Sequence, residues 1–397
     1  MSKDSSKALE FDSLAGVKIL FVVGPMVLGG AELQAVALAR QLRDRFGAIV
    51  EFWGIYGDGG PLIEHLEEHG IPWRIVHAPV IGAQAPWFYR LRQVKLLFGF
   101  LLRMRSASID VVLPFMTLPN IVVSLVWRMT SARVCVWNQR SDGSDAFTLG
   151  VQGSARLAAR LVSVFVANSQ TGCDYMSHSL GVSGSEIHLV HNGVGLRPAM
   201  ADREEWRLRL GIDSRAFIVT MIANLHPPKD HVTLLRSWRI VHEELKSQGR
   251  TGVLALAGRP VSTHHTLSQL ASELGIEESV RFLGLVRDIS GLLQASDLAA
   301  FASEREGMPN GVLESMAAGL AVVATDLPGV REALGADCDA VLAPCGNWVV
   351  LADRILYMAN NEDVRLLAGG ANRSRIEMEF SEVRMGTEFA EIISRRL

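Results

Sequence analysis

Short, continuously apolar runs recur along this chain, each followed by a longer stretch with helical periodicity. The first set lies at residues 17–23, 48–55, 73–76, 111–113, 134–137 and 164–167, with helical patterns at 31–46 and 61–69. A strand that is apolar on both faces must be covered on both. These runs therefore predict a parallel sheet with helices on either side. The series then begins again at 217–222, 253–257, 280–283, 298–301 and 321–324, with a helix over 230–244. Two such series predict an α/β chain of two Rossmann-like β/α/β domains facing across a cleft. A length of 397 residues has room for both.

Glycine, proline and charge cluster near residues 193–202, which sets the expected boundary. The expected division is an unstructured tail over 1–15, an N-terminal domain over 16–195 and a C-terminal domain over 196–375. A last helix over 376–397 would return to the N-terminal domain. The polar start, with both charge signs, does not read as a signal peptide. The net charge of −3 is not that of a dedicated nucleic-acid binder. Four cysteines, Cys135, Cys173, Cys338 and Cys345, show no paired spacing. That argues against a disulfide framework or a structural zinc site and fits a reducing, cytoplasmic setting.

Three segments could carry chemistry. The first, GPMVLGGAE over 24–32, follows the first strand. It has P-loop glycine spacing, but Gly30 stands where the lysine of an NTPase would be. What remains is Gly29 and Gly30 at a helix start, where backbone N–H groups favour phosphate; a plain strand-to-helix turn would look the same. The second, EGMPNGVLESMAAG over 306–319, follows the strand at 298–301. Glu306 falls in the turn. Glu314 falls one turn into a helix, among Val312, Leu313, Met316 and Ala317, where a carboxylate needs partners. A sugar diol would supply them, as would a cap or an ion pair. The third, NLHPPKDH over 224–231, follows the strand at 217–222. Its two prolines stiffen a loop that carries Lys229, a cation suited to a diphosphate or simply to solvent.

These three segments in this order, with HNGV at 191–194, resemble the family 4 glycosyltransferases of the GT-B fold, over nearly the whole chain. The most specific piece is the EX7E motif, Glu306 to Glu314. Ser169 also matches the family pattern. The resemblance implies that Glu314 binds the ribose of a nucleotide sugar and Glu306 the donor sugar. Met308, Pro309, Asn310, Gly311 and Val312 would offer backbone N–H groups. Lys229 would neutralise the diphosphate, Gly29 and Gly30 would close over it, and Val286 and Arg287 would meet the base. Two departures stand out. The family's arginine five residues before its lysine is Asn224 here, with His226 or Arg259 available to compensate. The family's N-domain histidine is absent from VWNQRSD at 136–142, where Arg140 is the candidate replacement.

The function implied is a retaining glycosyltransferase. It would move a sugar from a nucleoside-diphosphate donor, UDP-linked, to a glycan or lipid-linked acceptor in polysaccharide or glycolipid biosynthesis. No cofactor is expected, since helix N-termini and a lysine can do the electrostatic work. Asp337 and Asp339 imitate a DxD metal motif but fall in a late loop. The alternatives are a nucleotide-sugar epimerase of the same fold and a degenerate nucleotide-sugar-binding protein.

The stretch from His69 to Ile109 contains no acid but six arginines and lysines, and mean hydropathy is +0.21. A helix over 87–105 would place Arg92, Lys95 and Arg103 on one side, with Trp87 and Tyr89 as interfacial anchors. The expectation is peripheral contact with an anionic membrane, on its inner face. The same helix could equally use its wide apolar face as core.

Overall fold

The computed structural model describes residues 13–79 and 87–397, which fall into two compact units. Unit 1 runs to Gly193 and also takes Glu382–Leu397; unit 2 is Val194–Ser381. Most of the tail expected over 1–15 lies outside the described residues. Its Leu14 is buried and donates its N–H to the Phe46 carbonyl.

Unit 1 holds seven strands: β1 (Lys18–Pro25), β2 (Ile49–Tyr56), β3 (Trp73–Ile75), β4 (Val111–Pro114), β5 (Val134–Gln139), β6 (Val164–Ala167) and β7 (Ile187–Leu189). All pair in parallel, in the order β3-β2-β1-β4-β5-β6-β7. Both faces of the central strands are buried, as their composition requires. Phe21 stacks on Phe52 at 4.8 Å on one face, together with the helix Gly30–Phe46. The C-terminal helix Glu382–Ser394 completes that face with Met385, Phe389 and Ile393, all buried. Burying each such side chain contributes about 1.5–3 kcal/mol. The other face packs Trp53 edge-on against Phe100, beneath the helix Trp87–Ser106.

Unit 2 repeats the plan with β8 (Phe217–Ile222), β9 (Gly252–Ala257), β10 (Val280–Gly284), β11 (Leu298–Phe301), β12 (Val322–Thr325) and β13 (Leu342–Ala343). The order is β10-β9-β8-β11-β12-β13, again parallel. In each sheet the order reverses once, between β1 and β4 and between β8 and β11. Loops leaving the carboxyl ends of such a strand pair diverge to opposite faces and leave a crevice. That is where open α/β sheets hold their ligands.

The first three residues of the HNGV segment, 191–193, are tied into unit 1. The Gln34 side chain donates to the Gly193 carbonyl at 2.9 Å and accepts from the Gly193 N–H at 3.0 Å. Asn192 accepts from Arg140 at 3.0 Å and from Asn168 at 3.1 Å. Ser169 caps its helix, accepting from the Gly172 N–H at 3.2 Å. No helix among the described residues is long and apolar enough to cross a membrane.

Candidate active site

The switch point of unit 2 brings two of the motifs together. The loop after β8 carries NLHPPKDH and the loop after β11 carries the EX7E segment, and the two are stitched by backbone. The Pro228 carbonyl accepts from the Glu304 N–H at 2.9 Å, and the Asp230 N–H donates to the Ala302 carbonyl at 3.1 Å. Ser303, fully buried, donates from Oγ to either the Pro228 carbonyl or Glu306 Oε1, each at 2.7 Å. This stitching makes Lys229 Nζ and Glu306 Oε1 an ion pair, although the residues are 77 apart in sequence. Lys229 Nζ also lies 5.0 Å over the ring of Phe301, the last residue of β11. Behind the loop, His231 is buried and hydrogen-bonded to the Lys229 carbonyl at 2.8 Å. Burial pulls its pKa down to about 4, which keeps the ring neutral, so Nδ1–H is the donor in this bond.

The helix Asn310–Ala317 starts directly after this loop, with Pro309 as its extended N-cap residue. Met308 and Val312 are buried beneath it. Its first turn packs hard on the end of β8: a Cβ at Gly311 would collide with the Ile222 carbonyl oxygen. Only glycine permits that approach. Glu314 stands one turn further on. It is partly open to solvent, yet its carboxylate has no hydrogen-bond partner among the described residues. Desolvation pushes its pKa up to about 7. Two acceptor oxygens in such surroundings are poised for hydroxyl donors.

The loop after β10 holds the residues expected at the base. Val286 packs against the apolar cluster that includes Trp206, and Arg287 is exposed. The neighbouring Asp288 accepts from the Trp206 ring N–H at 2.7 Å and from the backbone N–H groups of Met200, Ala201 and Gly291. Those bonds hold its pKa below the usual value against the opposing cost of burial. The result is a fixed loop next to the crevice.

Asn224 does not project as a cation would. Its Oδ1 accepts from the Arg259 backbone N–H at 3.0 Å. Asp339 is paired with Arg331 at 2.7 Å. Among the described residues no group of three or more His, Cys, Asp or Glu could hold a metal ion.

In unit 1, Gly29 is the extended N-cap residue of the helix Gly30–Phe46, with Glu32 in its first turn. Arg140 sits elsewhere than the sequence suggested. Its guanidinium is buried between the rings of Phe115 and Phe389, at 5.1 and 5.5 Å, and bonds Asn192 and Asn138. Desolvation lowers its pKa to about 9. These partners fasten the C-terminal helix to the sheet. The spacing of VWNQRSD could not reveal this, because Phe389 arrives from the far end of the chain.

Comparison with known proteins agrees with the geometry. Residues 202–375 match the family model of the glycosyl transferases group 1. The chain is 30% identical to EpsD of Bacillus subtilis strain 168, in an alignment covering 53% of this chain and 55% of that protein. It is 28% identical to a D-inositol 3-phosphate glycosyltransferase of Salinispora arenicola, covering 52% and 50%. The chain thus spans about half the length of the curated relatives it matches. Among solved structures, Anabaena HepE in complex with UDP-glucose superposes with a TM-score of 0.79 at 23% identity, over 95% of this chain and 99% of that one.

The raised pKa of Glu314 has a consequence for stability. The folded state holds that proton up to about pH 7, whereas an unfolded glutamate releases it near its ordinary value of 4.5. Stability should therefore fall as pH rises between those values and level off above them. Glu314→Gln should raise the melting temperature at pH 8 relative to wild type and do so far less at pH 4.5. Equal shifts at both pH values would show that the carboxyl is not desolvated. Over residues 202–375 the chain is similar to the group 1 glycosyl transferases, and its two parallel-sheet units have the GT-B fold.

Proposed function

We propose that the protein is a retaining glycosyltransferase that takes a sugar from a UDP-linked donor. The observation that carries this reading is the partnerless Glu314 carboxylate, one turn inside a helix whose start adjoins the Lys229–Glu306 pair. HepE is known in complex with UDP and glucose, which favours the same donor class. Glu314 would accept both ribose hydroxyls. Lys229 would turn from Glu306 to the diphosphate as the glycosidic bond breaks, and Glu306, released, would accept from the donor sugar. The backbone of Met308 to Val312 lies at the helix start, where N–H groups favour phosphate. Lysine and oriented amides would do the work of charge stabilisation, so turnover is expected to persist in EDTA. Gly29 and Gly30 remain candidates for the diphosphate from unit 1.

The acceptor is proposed to be a glycan or a lipid-linked sugar, met at an anionic membrane surface by the helix Trp87–Ser106. The side chains of residues 87–90, including the expected anchors Trp87 and Tyr89, lie outside the described ones. The remainder divides cleanly. Phe100, Leu101 and Met104 are buried in the core, so the helix does pack on the sheet. Its outer side nevertheless exposes Leu91, Val94, Phe98 and Leu102, each by half or more. At about 100° per residue these four span roughly 80°, with Arg105 among them, Lys95 about 20° beyond one edge, and Arg92 and Arg103 about 80–100° beyond that edge. An apolar stripe flanked on one side by cations suits the headgroup region of anionic lipid. The inositol-phosphate relative points instead to a small, soluble acceptor.

Two measurements test this. Lys229→Ala should lower kcat for donor hydrolysis and transfer by about tenfold or more, with a smaller rise in KM, because the charge it meets grows in the transition state. Product formed without any acceptor and without donor cleavage would mark an epimerase instead. A wild-type protein that binds but never cleaves donor would mark a binding protein. For the membrane, wild type should float with vesicles containing phosphatidylglycerol, and the pair Phe98→Glu and Leu102→Glu should abolish flotation. Failure of the wild type to float at low salt would leave the soluble acceptor as the better reading.

A further inference from the structure

A second cation stands at the same switch point, on the next strand. Arg259 follows β9 by two residues, and β9 is the neighbour of β8 opposite β11. Its backbone is locked to the β8 loop. The Arg259 N–H donates to Asn224 Oδ1 at 3.0 Å, and the Leu225 N–H donates to the Arg259 carbonyl at 2.9 Å. The approach is so close that a Cβ at Gly258 would collide with the Ala223 carbonyl. A third loop joins there, since the Gly258 N–H donates to the Gly284 carbonyl at 2.8 Å. Residues 222–224 are thus flanked on one side by Arg259 and on the other by Gly311, at the start of the helix that carries Glu314.

The side chain of Arg259 is without partners. It makes no ion pair, hydrogen bond or ring contact with any described residue, and its Nε is enclosed with no acceptor. Arg207 and Arg354 of unit 2 also enclose an Nε without an acceptor, but both lie within helices, and of the three only Arg259 stands just beyond the carboxyl end of a sheet strand. Arg207 pairs with Asp297 and three backbone carbonyls, and Arg375 with Glu379 and two. At the ligand end of the sheet, a guanidinium with an enclosed nitrogen and no acceptor suits an anion that the protein itself does not supply.

We propose that Arg259 is a diphosphate ligand of the donor site, and that Asn224 is its positioning residue. This rests on the donor reading above. The guanidinium duty is moved one strand across. The residue after β8 is an asparagine because its amide oxygen holds the backbone from which the arginine extends. Arg259 would grip the phosphates from the β9 side as Lys229 does from the β11 side. The fork can take two phosphate oxygens at once, which a lysine cannot.

Calorimetry with UDP and with uridine separates the claims. Arg259→Ala should weaken UDP by about tenfold or more, the loss of a charged hydrogen-bonded partner, and leave uridine within about twofold. Arg259→Lys should fall between. Adding Asn224→Arg to Arg259→Ala should recover part of the UDP affinity, which a mere folding defect would not allow. UDP affinity unchanged in Arg259→Ala, with wild type preferring UDP to uridine, overturns the assignment of Arg259 alone. A wild type that does not prefer UDP to uridine removes the diphosphate site, and Arg259's role with it.

Discussion

Pro228 offers its carbonyl oxygen to the loop after β11, taking the Glu304 N–H and lying within reach of the Ser303 hydroxyl. On that junction the candidate site depends. Proline cannot donate a backbone hydrogen bond, so the loop after β8 can be fastened at this residue only through its carbonyl. Once fastened, Lys229 is delivered to Glu306, and His231 secures the Lys229 carbonyl from behind. The parallel sheet supplies the frame. With β8 and β11 hydrogen-bonded side by side, their outgoing loops start only one strand spacing apart, about 4.8 Å.

The electrostatics of the crevice follow from what each charge faces. Lys229 and Glu306 neutralise one another, so neither is left bare in the ligand-free protein. Breaking such a pair by removing one member strands the other, and a ligand that replaces both partners at once avoids that cost. Glu314 and Arg259 have no such arrangement. One is a carboxyl pushed toward neutrality and the other a guanidinium with an enclosed nitrogen. Stability alone would favour replacing both. The proposed donor offers groups of matching chemistry, hydroxyls for the first and phosphate oxygens for the second.

Much of the fold was legible in the sequence because its central strands are apolar on both faces. The eleven strands read from composition all appear, with ends moved by a residue or two. The two missed, β7 and β13, have three and two residues and lie at sheet edges, where too few positions are buried to leave a pattern. The convergence of Lys229 and Glu306 was legible as two motifs, each after a strand, but not as a contact, since strand order sets that. The surroundings of Arg140 were hidden for the same reason. Its neighbours Phe389 and Asn192 are distant in sequence, and a basic residue after a strand looks alike whether it faces a ligand or a phenyl ring. In sequence the helix Trp87–Ser106 suits either core or membrane surface; its two sides allow both.

The central claim is that unit 2 holds a nucleoside diphosphate at the β8/β11 switch point. A crystal structure of the protein with UDP tests it most directly. The account predicts both ribose hydroxyls on Glu314, the diphosphate within hydrogen-bond distance of Lys229 and Arg259, and the Lys229–Glu306 pair opened. UDP bound away from Glu314, or bound there with that pair intact and Arg259 turned to solvent, would contradict it.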